Sequence, residues 1–306
     1  MIDFYQKIKT KLQVLGLLLF TMATSFCSYA QDNRSDEDID IILDDLFFSQ
    51  LSLKVYENCP LKFRRRYLDG LYWPADWSDN YSQKEIVEKG KKFHLIAQRY
   101  YKRGENIQSD ITPEDLSGWF EELKSFRPYN NLAEFYPEHE LRINKNDIKL
   151  VAKYDLLYID KKSKKVIIYD WKTTKKRFNN NKLINNLQTK VYLYVLAETG
   201  KFYYFDDSIN FDRMSIIYWN PRFPKQAAKI NYNEKKFKKD REFLRKKIKE
   251  IKNLKYDDFK KTKNEKKCRF CEYRPICTGK KAKSIKVEDD DIDLEIDWDN
   301  IDEMSF

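Results

Sequence analysis

The stretch Val166-Ile167-Ile168-Tyr169-Asp170-Trp171-Lys172 is apolar on both alternating faces until its end, where it delivers a carboxylate and an ammonium two positions apart. Strand side chains alternate between faces, so Asp170 and Lys172 leave the same face, and the doubly apolar run places the strand centrally in a covered sheet. Burying these two charges is costly unless each finds a partner. A metal ion suits the first and a phosphate the second. A plain buried ion pair is the alternative reading of an isolated D-x-K.

Working outward, the charged turn Lys161-Lys162-Ser163-Lys164 joins this strand to another over Lys149 to Ile159, a hairpin that carries Asp155. A further strand is expected over Glu140 to Ile143 and another over Ser215 to Trp219. A helix from about Leu183 to Ala197 turns Leu187, Val191 and Tyr194 to the core and sets Gln188 and Tyr192 one turn apart. Upstream, Ile86, Val87, Phe93, Ala97 and Tyr101 form one helical stripe between Tyr81 and Tyr101, with His94 facing inward in G-K-K-F-H. Thr112-Pro113-Glu114 starts another helix in a helix-and-loop region over residues 110–136. Ser52 to Leu68 reads as two short helices broken at Cys59-Pro60, after a polar, acidic stretch from Gln31 to Asp45.

At 306 residues the chain can bury a substantial core. Its 42% apolar and 15% aromatic content argues against wholesale disorder, and its seven Gly and eight Pro exclude a collagen-like design. Ten acids and no basic residue lie between Val287 and Phe306; with all 59 Lys+Arg and 39 acids ahead of them, residues 1–286 carry +20. That field favours polyanions, nucleic acid before anionic membrane, and the acidic tail reads as solvated. Between Lys225 and Lys267 there are 18 basic and seven acidic residues on an apolar stripe of Phe237, Leu244, Ile248 and Ile251. This is a lysine-rich amphipathic helix, about Glu234 to Leu254, with one packed face.

Lys7, Lys9 and Lys11 precede an apolar run from Leu12 to Phe26, and small residues around Ser28-Tyr29-Ala30 complete the layout of a secretory signal. This fifteen-residue run is short of the roughly twenty a membrane span needs. Of the five cysteines, Cys268, Cys271 and Cys277 cluster as C-x2-C-x5-C, Cys59 lies far upstream, and Cys27 falls within the signal-like segment. Four thiolates suit zinc or an iron–sulfur cluster on ligand count, and two disulfides if the chain is exported.

The order His94, Asp155, Asp170-x-Lys172, Gln188-x3-Tyr192 resembles the PD-(D/E)xK nuclease superfamily, in particular its RecB-like branch that includes CRISPR-associated exonucleases, over about Ser52 to Gly279. The resemblance implies an α/β fold with a restriction-endonuclease-like core, a central mixed β-sheet flanked by helices, and helical N- and C-terminal segments joined by a four-cysteine site. It assigns the divalent metal, Mg2+ or Mn2+, to His94, Asp155 and Asp170. Asp155, Asp170, Lys172 and Gln188 are then catalytic, with Gln188 and Tyr192 also near nucleic acid. It further implies a [4Fe-4S] cluster on Cys59, Cys268, Cys271 and Cys277, with Zn2+ the alternative. One departure is Ala152, where the family usually carries Gly three residues before the metal Asp; its methyl is expected to crowd the backbone near the site. Glu140 is left between a second-metal role and solvent, and His139 is assigned to the surface.

The resulting expectation is a signal-like segment over residues 1–30, a nuclease domain over 46–280 and an acidic tail over 281–306. The activity expected is metal-dependent phosphodiester hydrolysis on DNA with single-stranded ends or flaps, with Phe63 and Trp171 as base contacts and a helicase or other DNA-processing protein as partner. The alternatives are a binding protein of the same fold without turnover, and a secreted disulfide-bonded binding protein. A cytoplasmic location is expected because a labile cluster is loaded in a reducing compartment, with export the alternative.

Overall fold

The computed structural model describes residues 35–71, 81–104, 114–145, 147–204, 210–269 and 271–282. The signal-like segment, Cys27 and nearly all of the acidic tail lie outside the described residues.

The acidic stretch read as merely polar folds from Asp36 as helix α1 (Asp36–Asp45). Ser35 and Asp38 form a reciprocal capping box, and Ile39 and Leu43 are buried. Helix α2 (Gln50–Asn58) carries a second box from Ser49 and Ser52 and ends at Cys59, whose extended backbone turns the chain into α3 (Pro60–Phe63) with Pro60 in the first turn. The chain then widens into a π-helical turn over Arg64–Leu68. Helices α4 (Tyr81–Arg103) and α5 (Glu114–Phe126) follow.

Next come strands β1 (Glu134–Lys145), β2 (Ile148–Asp160) and β3 (Lys165–Trp171). Helices α6 (Asn180–Asn185) and α7 (Leu187–Tyr204) lead to β4 (Met214–Trp219), β5 (Ala227–Asn231) and the lysine-rich α8 (Glu234–Lys252). Two short helices, α9 (Glu265–Cys268) and α10 (Arg274–Thr278), carry Cys268 and Cys277, and Cys271 lies between them.

Among the described residues five strands form one mixed sheet in the order β1-β2-β3-β4-β5; β3 and β4 are parallel and the other pairs antiparallel. The fold is therefore α/β with a central mixed sheet flanked by helices, as expected, and β3 occupies the middle. Its Val166 and Ile168 join the core under α7, while Tyr169 and Trp171 join an aromatic core under α4 and α5.

Several expectations need correction. β1 begins at Glu134, six residues before the expected strand, because Pro137 does not end an edge strand whose free side needs no N–H from it. The helix expected from Leu183 is two helices. Asn186 is extended between them and its side chain accepts the Gln188 N–H at 2.8 Å, so the second helix starts at Leu187. Phe63 and Trp171, expected to touch bases, are fully buried. Phe63 packs among Phe48, Tyr56, Tyr67 and Phe259, and Trp171 among Tyr101, Tyr169 and Trp219.

Candidate active site

The site forms where β2 and β3 separate. Their ladder ends at Leu156 paired with Tyr169, and the next β3 donor, Trp171 N–H, bonds the Asp155 carboxylate at 2.6 Å instead of a β2 carbonyl. Alternation slips at the same point. Tyr154 and Leu157 both face the α7 core, whereas Leu156 faces the α4 core, so Asp155 emerges from an irregular piece of strand. Across the β1 ladder, between the pairs Pro137 with Leu156 and His139 with Tyr154, stands Glu138 with φ of 52°. A left-handed backbone at a non-glycine residue costs roughly 1–3 kcal/mol and persists where surrounding structure enforces it.

Glu138, Asp155 and His94 of α4 form the one group of three metal-ligating side chains, among the described residues, whose ligand atoms all lie within 4.8 Å of one another. His94 Nδ1 is 3.4 Å from Asp155 Oδ1, so the two oxygens of Asp155 are oriented from opposite directions, by His94 and by Trp171 N–H. Lys153 Nζ lies 3.5 Å from Glu138. Burial on its own raises Asp155, but His94, Lys172 and the Trp171 N–H outweigh it and hold this carboxyl below its ordinary value. Glu138 moves the other way, raised by burial and then by the charge of Asp155 against the pull of His94 and Lys153. Two carboxylates pushed apart beside an imidazole form a half-buried donor set of hard oxygens and one nitrogen, which suits a small divalent cation.

Asp170 is not one of this trio, contrary to expectation. It lies on the α7 side of β3, with Lys172 Nζ 2.8 Å from its Oδ1 and Gln188 Nε2 donating to its Oδ2 at 2.8 Å. The same amide accepts from Lys172 Nζ through Oε1 at 3.2 Å, so Gln188 clasps both charges. All three are buried, and Lys172 remains close enough to Asp155 to lower its pKa. Tyr192 sits below, its backbone carbonyl accepting from Tyr154 Oη at 3.1 Å, and burial followed by the charges of Asp170 and Asp155 raises its phenol well above the usual range. Gln188 and Tyr192 are only 4% and 7% exposed, which leaves little surface for the nucleic-acid contact expected of them.

Other site expectations resolve as follows. The Ala152 methyl is buried in the α7 core with Leu150 and Tyr154, on the side of β2 away from the trio, so it does not crowd the site. Glu140 is exposed and bonds Arg142 Nε at 2.6 Å. His139 is half-buried against Tyr136 rather than on the surface. The acid that sequence reasoning missed is Glu138, two residues before Glu140. Its signal was P-E-H-E ahead of an alternating strand, masked by the proline.

The four described cysteines are free thiols. Thr262 N–H donates to Cys59 Sγ at 3.4 Å, and Arg65 Nη1 to Cys277 Sγ at 3.0 Å. Burial raises the Cys268 thiol, with Cys59 and Cys277 adding to the rise, and burial pushes Cys271 up to about 12. Among the described residues no three of their sulfurs come within 4.8 Å of one another.

The family profile described as PD-(D/E)XK nuclease superfamily matches residues 48–129 and 112–278, well over half of the chain. The protein belongs to this superfamily. Among solved structures it is similar to a protein of Eubacterium rectale described as a candidate exonuclease, at 11% identity and a TM-score of 0.43, covering 79% of this chain and 91% of that one. It is also similar to SSO0001, at 17% identity and a TM-score of 0.29, covering 65% of this chain and 95% of that one. None of the curated proteins is a match.

Proposed function

We propose that this superfamily member is a divalent-metal-dependent nuclease that hydrolyses phosphodiester bonds of DNA at single-stranded ends or flaps. The observation that carries the reading is the convergence of His94, Glu138 and Asp155 on one point, with the ammonium of Lys172 near enough to bias Asp155. These donors fit Mg2+ or Mn2+, and a divalent cation supplies charge neutralisation at the phosphoryl group and a more acidic bound water. Asp155 is the fixed member, held from two sides. Glu138 contributes the second carboxylate. Lys172 orients the attacking water and stabilises charge developing on the phosphoryl oxygens. Gln188 sets the position of Lys172 and Asp170, Tyr192 packs beneath them, and Asp170 places its carboxylate 2.8 Å from the buried Lys172 ammonium.

The order of His94, Asp155, Asp170, Lys172, Gln188 and Tyr192 favours the RecB-like branch, and the cysteines extend that reading to a [4Fe-4S] cluster on Cys59, Cys268, Cys271 and Cys277. The Cys268 and Cys271 thiols, raised by burial, would ligate as thiolates once a metal centre displaces their protons. A nuclease domain over 46–280 and a reducing, cytoplasmic setting belong to the same reading.

The test is cleavage of a 5′-labelled single-stranded oligonucleotide in Mg2+ or Mn2+. Activity that Asp155→Ala abolishes while binding survives supports the reading. Binding without cleavage in either metal by the unmodified protein contradicts it.

A further inference from the structure

Beyond the C-terminal ends of the parallel strands β3 and β4, the chain assembles a second constellation that the chemistry above does not use. Thr173 follows Lys172 directly, and its carbonyl accepts from Arg222 Nε at 2.9 Å. Asn220 fixes the same loop, donating to the Thr174 carbonyl at 2.9 Å and accepting the Arg222 N–H at 2.9 Å. The Arg222 guanidinium thereby lies over Trp119 of α5, 4.6 Å from the ring centroid, and Lys89 Nζ of α4 lies 4.9 Å from the same ring. Trp119 packs edge-on against Phe93 at 5.7 Å, and Phe93 is the neighbour of His94. α4 can approach this corner because residue 90 is glycine: a Cβ there would stand 2.8 Å from Thr173 Oγ1. Arg177 over Phe223 at 5.3 Å repeats the cation–aromatic pairing in the same pair of loops.

A guanidinium and an ammonium share one indole in a half-buried corner. Among the described residues Arg222 has no carboxylate partner. Burial lowers its proton affinity, as expected for a cation whose charge is under-compensated. Aromatic faces interleaved with cations are the chemistry of single-strand binding: bases stack and phosphates pair, with little dependence on sequence.

We infer that Trp119, Lys89 and Arg222 form a platform that holds a single strand next to the scissile phosphate, with an unpaired base against the Arg222–Trp119 pair and flanking phosphates on the two cations. This rests on the nuclease reading and deepens it, because the platform admits an unpaired base and gives a stacked duplex no equivalent contact.

The experiment is fluorescence anisotropy of the full chain with labelled single-stranded and blunt duplex oligonucleotides, with Ca2+ in place of the catalytic cation. Thermal melting checks that each variant is folded. Arg222→Gln is expected to weaken single-strand binding about tenfold and to lower the slope of log Kd against log salt by about one. Trp119→Leu is expected to cost a factor of about five or more on single strands and nothing on the duplex. Lys162→Gln, which removes a like charge in the β2–β3 turn at the opposite end of β3, is expected to bind as the unmodified protein. Folded Arg222→Gln with unchanged affinity and slope overturns the platform, as does an equal loss in Lys162→Gln. Should Trp119→Leu fail to fold, the Arg222→Gln slope decides. Failure of the unmodified protein to bind any nucleic acid would instead sink the nuclease reading itself.

Discussion

On one side of the gap between β2 and β3, His94, Glu138 and Asp155 crowd together half-open, with their donor atoms turned toward one another. On the other side, Asp170, Lys172 and Gln188 are buried and linked by contacts of 2.8–3.2 Å. The first cluster sets two carboxylates against each other with Lys153 and His94 at its edge, an arrangement an added cation would relieve. The second pairs its carboxylate with an ammonium. A sequence motif treats Asp155 and Asp170 as equivalent acids, yet the fold gives the first a place among metal donors and the second a lysine. Burial beside an opposite charge holds a position, whereas mutual repulsion held in place by the fold stores a capacity to bind.

Breaking the open cluster should have the largest effect. Asp155→Ala removes the ligand fixed by His94 and by Trp171 N–H, and cleavage rate under saturating metal should fall by at least about a hundredfold to a thousandfold. Lys172→Met comes next: it deletes the ammonium while preserving much of the volume, with a loss of about a hundredfold or more in kcat. It also leaves Asp170 buried without its cation, so the melting temperature should drop. Gln188→Ala sharpens the comparison. Leaving two buried charges without the amide that joins them should destabilise the fold by roughly 1–3 kcal/mol in urea melts, with a smaller loss of rate than Lys172→Met. Smallest is Glu140→Gln. This acid faces solvent with Arg142, so stability should move by no more than about 0.5 kcal/mol and activity should stay at the unmodified level.

Much of this was legible in the sequence because buried strands and amphipathic helices write their period directly. The run Val166 to Lys172 marks the central strand, the turn at Lys161 to Lys164 marks the hairpin, and the stripe through Phe93 and Ala97 turns His94 inward. What was not legible depended on departures from period. Glu138 reaches the site through a left-handed backbone and a slip of β2 at Asp155, neither of which a two-residue repeat can express. The strand expected over Glu140 to Ile143 starts earlier, at Glu134, because β1 is an edge that tolerates Pro137, and nothing local says that it is an edge. Phe63 and Trp171 were read as base contacts because aromatic residues serve both surfaces and cores; the ring packing that buries them comes from elements distant in sequence, Phe259 for one and Trp219 for the other. The acidic pattern ahead of Asp45 concealed α1 because a helix that buries only Ile39 and Leu43 needs few apolar residues.

The most direct test of the central claim is a titration of Mn2+ by isothermal calorimetry into the unmodified protein, Glu138→Gln and Asp170→Asn. If His94, Glu138 and Asp155 hold the cation, Glu138→Gln should weaken binding by about tenfold or more, while Asp170→Asn, provided it remains folded, should alter it less. Unchanged binding in Glu138→Gln together with loss in folded Asp170→Asn would contradict the account and return the metal to the closed cluster.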